Sequence, residues 1–128
     1  VGADRRGRPA TLMRRGDIYL ADLEPVRGSE SDKRRPVVVV SNDGANATAA
    51  RLGRGVVTVV PVTSNVTRVF PFQVRLPAKE TGLAKDSKAQ AEQVRSIAVE
   101  RLGRRIGRLT PPLSRALDDA LRLHLGLG

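Results

Sequence analysis

The chain has 128 residues, enough for one domain. Its 23 Lys and Arg against 13 Asp and Glu leave a formal net charge of +10, more than solubility requires, which points to an anionic partner. The lack of Cys excludes disulfides, thiolate metal sites and thiol nucleophiles, and the single His, His124, excludes a His-rich metal site or a two-His ribonuclease site within one chain.

Aromatics are scarce: Tyr19, Phe70 and Phe72 are the whole supply. Stacking sheets of the RNA-recognition type need several on one face, so binding is expected to rest on phosphate contacts, polar groups and arginine stacking. The lack of Cys agrees with a reducing cytoplasm; no apolar run approaches membrane-spanning length and nothing resembles a secretory leader.

Residues 1–12 (VGADRRGRPATL) carry Gly, Arg and Pro without apolar periodicity and read as a disordered extension to a domain of residues 13–128. Strands follow. Residues 17–23 (DIYLADL) form one, ending before Glu24-Pro25. The β-branched run of residues 36–41 (PVVVVS) suits a strand buried on both faces. Residues 42–54 read as a turn with about one helical turn, then a loop. A second buried strand covers 55–63 (GVVTVVPVT), where Pro61 marks a bulge or an edge. Residues 69–76 (VFPFQVRL) alternate as a third strand, residues 77–86 form a polar loop, and residues 90–98 (QAEQVRSIA) and 104–108 (RRIGR) complete the β-structure. Leu113, Ala116, Leu117, Ala120, Leu121 and His124 then recur at helical spacing, with Thr110 as cap and Pro111 in the first turn. Several strands followed by one helix predict a small barrel with the helix packed on its side.

Three places could carry chemistry. Residues 28–40 (GSESDKRRPVVVV) run from a polar loop into a buried strand. Arg35, next to Pro36 at the strand mouth, is well placed to clamp a phosphate with a planar, permanently charged guanidinium. The plain alternative is that Lys33, Arg34 and Arg35 form a solvated charge run. At residues 61–65 (PVTSN) a hydrophobic strand ends in Thr63, Ser64 and Asn65, suited to phosphate oxygens or base edges, or to a turn that stops the strand. In residues 92–96 (EQVRS), alternation would place Gln93 and Arg95 together on the face opposite Glu92, Val94 and Ser96. There they could read bases, or Arg95 could pair with an acid.

Taken together, RRGDIYLADLEPVRGSE, RRPVVVVSND, VVPVTSN and AEQVRSI, in this order and spacing, resemble the MazF/PemK family of toxin endoribonucleases, from residue 13 to the C-terminal helix. The resemblance implies a mainly β fold, a small SH3-like barrel with a C-terminal helix, paired as a homodimer with its RNA groove along the interface. It implies sequence-specific cleavage of single-stranded RNA without metal or other cofactor, and neutralisation by a cognate MazE-like antitoxin. By position, Arg35 and Thr63 match the family's catalytic residues and Glu30 matches the acid of the loop. Ser29, Lys33, Arg34, Ser64, Asn65, Gln93 and Arg95 fall at RNA-binding or supporting positions.

Such a site would let the RNA 2′-OH attack its own phosphate, Arg35 stabilising the charge, Thr63 positioning the phosphate and Glu30 serving as candidate base. No group in the sequence stands out as the acid. Two other readings stay open. A CcdB-like gyrase poison shares the fold, but that activity goes with a C-terminal aromatic, and this chain ends LHLGLG. A non-enzymatic RNA-binding module suits the charge equally and lacks only a use for Arg35 and Thr63.

Overall fold

A computed structural model describes residues 13–23 and 34–128. Along these the chain forms β1 (Asp17–Asp22), β2 (Arg34–Val39), α1 (Asp43–Leu52), β3 (Val56–Thr63), β4 (Gln73–Leu76), the one-turn α2 (Ala78–Thr81), β5 (Ser87–Gln90), β6 (Arg95–Ala98), β7 (Leu102–Arg108) and α3 (Pro111–Leu125). The architecture is mainly β with a C-terminal helix. All ladders are antiparallel, in the order β4-β5-β3-β2-β1-β7. β6 pairs with the first half of β3, from Val56 to Val59, and β5 with its end, at Val62 and Thr63. Pro61 lies in register with Val37 of β2, at the point where the other edge of β3 passes from β6 to β5. A residue without an N–H costs no ladder bond on that edge.

No ladder joins β4 to β7 among the described residues, so hydrogen bonds do not close the barrel. Its ends meet by packing. A Cβ added to Gly107 in β7 would lie 1.8 Å from the Thr81 carbonyl oxygen, and one added to Gly82, at φ +85°, would lie 2.7 Å from that of Ile106. Only glycine lets these two backbones approach so closely.

The central strands are buried on both faces, as their β-branched runs predict: Val37, Val38 and Val39 are all 0% exposed. Alternation sends them into two cores. Ile18, Val38, Val60 and Val62 face a cluster closed by Leu117, Ala120 and Leu121 of α3. Tyr19, Val37, Val39, Val57 and Val59 face a second cluster that includes Ala49 of α1, Ile97 and Leu102. α3 begins as read: Thr110 Oγ1 accepts from the Leu113 N–H at 3.4 Å, with proline in the first turn. His124, in contrast, is exposed in the last turn and does not join the apolar stripe.

Four elements differ from the sequence expectation. The turn at 42–54 is a ten-residue helix, capped by Asn42 accepting from the Ala45 N–H at 2.8 Å. Fully buried Asn46 anchors it, donating to the Ser41 carbonyl at 2.8 Å. The strand at 69–76 begins only at Gln73, because Pro71 makes a turn first. The polar loop contains α2 and leads into β5. Residues 90–98 are not one strand, since a 3₁₀ turn at Ala91–Gln93 carries the chain from β5 to β6 around the edge of β3.

Candidate RNA-binding and catalytic face

Arg34 and Arg35 are the first two residues of β2, exposed, and paired in register with Asp22 and Ala21 of β1. The β2–β3 ladder ends at Val37–Pro61; continued by two residues, the same register sets Arg35 level with Thr63. Thr63 pairs onward with Lys88 of β5, and Lys88 with Arg75 of β4. Directly paired residues share a sheet face. Arg35, Thr63, Lys88 and Arg75 therefore form one row, on the face that carries Val37 and Val39 and away from α3.

Thr63 ends its strand through its own side chain, as a turn residue would. Its Oγ1 accepts from the Asn65 N–H at 3.2 Å, and Asn65 Oδ1 accepts from the Thr67 N–H at 3.2 Å. These bonds use acceptors only. Among the described residues the Thr63 hydroxyl proton and the Asn65 amide protons remain available to anionic oxygens, so the turn is compatible with a binding role. Ser64 between them is exposed.

Gln93 and Arg95 are both exposed, but the 3₁₀ turn places them, not strand alternation. Gln93 closes the turn. Arg95 opens β6 opposite Val59, which puts it on the same face as Arg35 and Thr63. Ser29, Glu30 and Lys33 lie outside the described residues, as does the extension at 1–12.

Several supporting residues escaped the sequence reading. Lys88 is only 8% exposed, and its ammonium donates to the carbonyl of Arg68 in the β3–β4 connection. Gln73, also buried, donates to Glu92 Oε2 at 2.8 Å, while Glu92 Oε1 is enclosed with no hydrogen-bond partner among the described residues. Arg75 is held by Asp86 at 3.1 Å. The two phenylalanines stack on each other beside this row, with centroids 5.3 Å apart and planes 3° from parallel. Lys88 and Glu92 carried no signal beyond charge; the burial of Lys88 and the enclosed Oε1 of Glu92 single them out.

The face thus offers cations, a hydroxyl donor and an amide, the groups that hold a phosphodiester and stabilise charge growing on it. His124 is far along α3 from this row in sequence and exposed, and no group of three or more His, Cys, Asp or Glu that could hold a metal occurs among the described residues. No helix among them is long and apolar enough to cross a membrane.

Comparison with known proteins identifies the family and the fold. The chain is 65% identical over 116 residues, 91% of its length and 98% of the relative's, to endoribonuclease MazF9 of Mycobacterium tuberculosis strain ATCC 25618 / H37Rv. Its fold matches the M. tuberculosis toxin MazF-mt6 with a TM-score of 0.70 at 28% identity, covering 88% of this chain and 98% of that one. It also matches a mycobacterial endoribonuclease solved in complex with its cognate antitoxin, with a TM-score of 0.69 at 23% identity, covering 91% and 95% of the two chains. Residues 14–125 match the PemK-like, MazF-like toxins, and the chain belongs to that family of type II toxin–antitoxin systems.

Proposed function

We propose that this MazF-family toxin is an endoribonuclease that cuts single-stranded RNA at a short sequence, without a metal ion, by attack of the substrate's own 2′-OH. The observation that carries the reading is the row on one sheet face in which β-register sets Arg35 level with Thr63, beside Lys88, with exposed Arg95 on the same face. The tethered 2′-OH removes most of the entropic cost of bringing nucleophile to phosphorus. The Arg35 guanidinium stabilises the phosphorane charge, the Thr63 hydroxyl donates to a phosphate oxygen, and Glu30 takes the 2′-OH proton. The products are a 2′,3′-cyclic phosphate and a 5′-OH end. Ser29, Lys33, Arg34, Ser64, Asn65, Gln93 and Arg95 bind the strand on either side.

The proposed setting goes with the family. The toxin acts in the cytoplasm as a homodimer, and a cognate antitoxin with an acidic segment silences it by covering the basic face. A carboxylate-rich peptide and RNA compete for the same cations.

The test is a mapped RNA oligonucleotide in which only the nucleotide 5′ to the scissile bond is made 2′-deoxy. Cleavage should stop while binding is nearly unchanged, and the ribo substrate should be cut in EDTA. Efficient cutting of the 2′-deoxy oligonucleotide would remove this mechanism, as would loss of activity on chelation.

A further inference from the structure

The sequence has too few aromatics for a stacking sheet, yet the structure gathers two of its three into one stack beside the proposed catalytic row. Phe70 and Phe72 lie nearly parallel, and the Arg68 guanidinium carbon sits 5.1 Å from the Phe70 centroid. The assembly is surface-facing: Phe70 is 38% exposed and Val69 beside it 39%. Apolar rings left at the surface next to a site for a polyanion call for an occupant with a flat face.

The stack is also rigidly built. The Gln73 N–H donates to the Phe70 carbonyl at 2.9 Å across Pro71, a proline-fixed turn that brings both rings to the same side. The Gln73 side chain closes the turn a second time, its Oε1 accepting from the Phe70 N–H at 3.1 Å and its amide donating to Glu92. Buried Lys88 pins the other end through the Arg68 carbonyl. That lysine is the register partner of Thr63, so the stack is joined to the catalytic row by a single residue.

We infer that Arg68, Phe70 and Phe72 form a base-stacking subsite that grips one nucleotide flanking the scissile phosphate and contributes to the choice of cleavage sequence. The base takes the ring face that Arg68 covers, and the displaced guanidinium moves to a phosphate of the same strand. The exchange is favourable in direction, since an exposed cation–π contact is weaker than base–aromatic stacking and the cation gains an anion. One such platform suffices here, because affinity comes mainly from the phosphate contacts. The inference rests on the RNA-cleaving reading and adds to it a residue that contributes to sequence choice.

The experiment uses the full chain and an RNA oligonucleotide carrying the mapped cleavage sequence, each base in turn replaced by an abasic site. For the unmodified protein, one flanking abasic position should raise KM about tenfold. Phe70→Ala should raise KM on the intact RNA by a similar factor with kcat changed little, and should show no added penalty at that one position. Phe70→Trp should restore KM and show fluorescence quenching on binding the uncut 2′-deoxy oligonucleotide. The subsite is wrong if Phe70→Ala and abasic penalties add at every position, or if Phe70→Ala lowers kcat and leaves KM unchanged. Failure of the unmodified protein to cut any RNA would overturn the underlying reading instead, so the two failures are distinct.

Discussion

The two faces of the sheet are built from the same kind of residue and end differently. On one, Ile18, Val38, Val60 and Val62 meet a fifteen-residue helix, α3, and the cover is nearly complete. On the other, Val37, Val39, Val57 and Val59 meet the shorter α1, whose contribution to the cluster is Ala49 with Ala50 at its margin. Where that cover runs out, the same strands continue with Arg35 and Thr63 in place of valine. The difference teaches that the proposed site is not an addition to the fold. Among the described residues, the proposed site is the end of that face which no helix covers, its other end is core, and the buried valines hold the charged positions in register.

The comparison can be broken by separating stability from activity. Arg35→Ala should lower kcat on a cleavable RNA about a hundredfold to a thousandfold, as loss of one charge-stabilising donor does, with the melting temperature unchanged. A stable, fully active Arg35→Ala protein would leave the unroofed end without a catalytic role. Next in size, Leu117→Ala beneath α3 should cost about 2–5 kcal/mol in denaturant unfolding, while the kcat of the folded fraction stays the same. A change in kcat at constant folded fraction would mean that the helical face reaches the chemistry. Thr63→Ala should slow cleavage about tenfold to a hundredfold, the worth of one hydrogen bond to a charged group, and Thr63→Ser should recover most of it. Smallest of all, Arg95→Ala should reduce the slope of log affinity against log salt by about 0.7, the contribution of one phosphate on a single strand. An unchanged slope would assign Arg95 to base edges instead of the backbone.

How far the sequence could be read depended on whether a residue's neighbours in sequence were also its neighbours in space. β2 and β3 were legible because unbroken Val runs need cover on both sides wherever they fall. α3 was legible because Thr110, the following prolines and the Leu-Ala stripe agree. α1 was read short: Asn42, Asp43 and Gly44 look like a turn, and what extends the helix is long-range, the anchoring of Asn46 and the packing of Ala49. Residues 90–98 alternate well enough to imitate one strand, but two segments must share the edge of a single β3, which forces the corner at Ala91–Gln93. Arg35 and Thr63 could be singled out by their places at strand ends, and the register then set them level. Lys88 could not, since burying an ammonium makes sense only once the Arg68 carbonyl is seen to receive it. The aromatic count misled in a different way: Phe70 and Phe72 are few, but Pro71 between them puts both on one spot.

The pairing of β1 with β7 has a consequence for how the toxin comes into being. The first strand of the sheet finds its second neighbour only in residues 102–108, near the end of the chain, and Gly107 must reach Thr81 before the ends of the sheet can meet. A nascent chain leaving the ribosome therefore carries β1 as an open edge until residues 102–108 have been made, and α3, which roofs the larger core, follows them. Long-range closure of this kind delays folding. Fragments released early by interrupted translation lack both the seventh strand and the roof, so they expose an unpaired strand edge to aggregation and proteolysis. The arrangement makes synthesis of β7 and α3 a condition for a folded molecule.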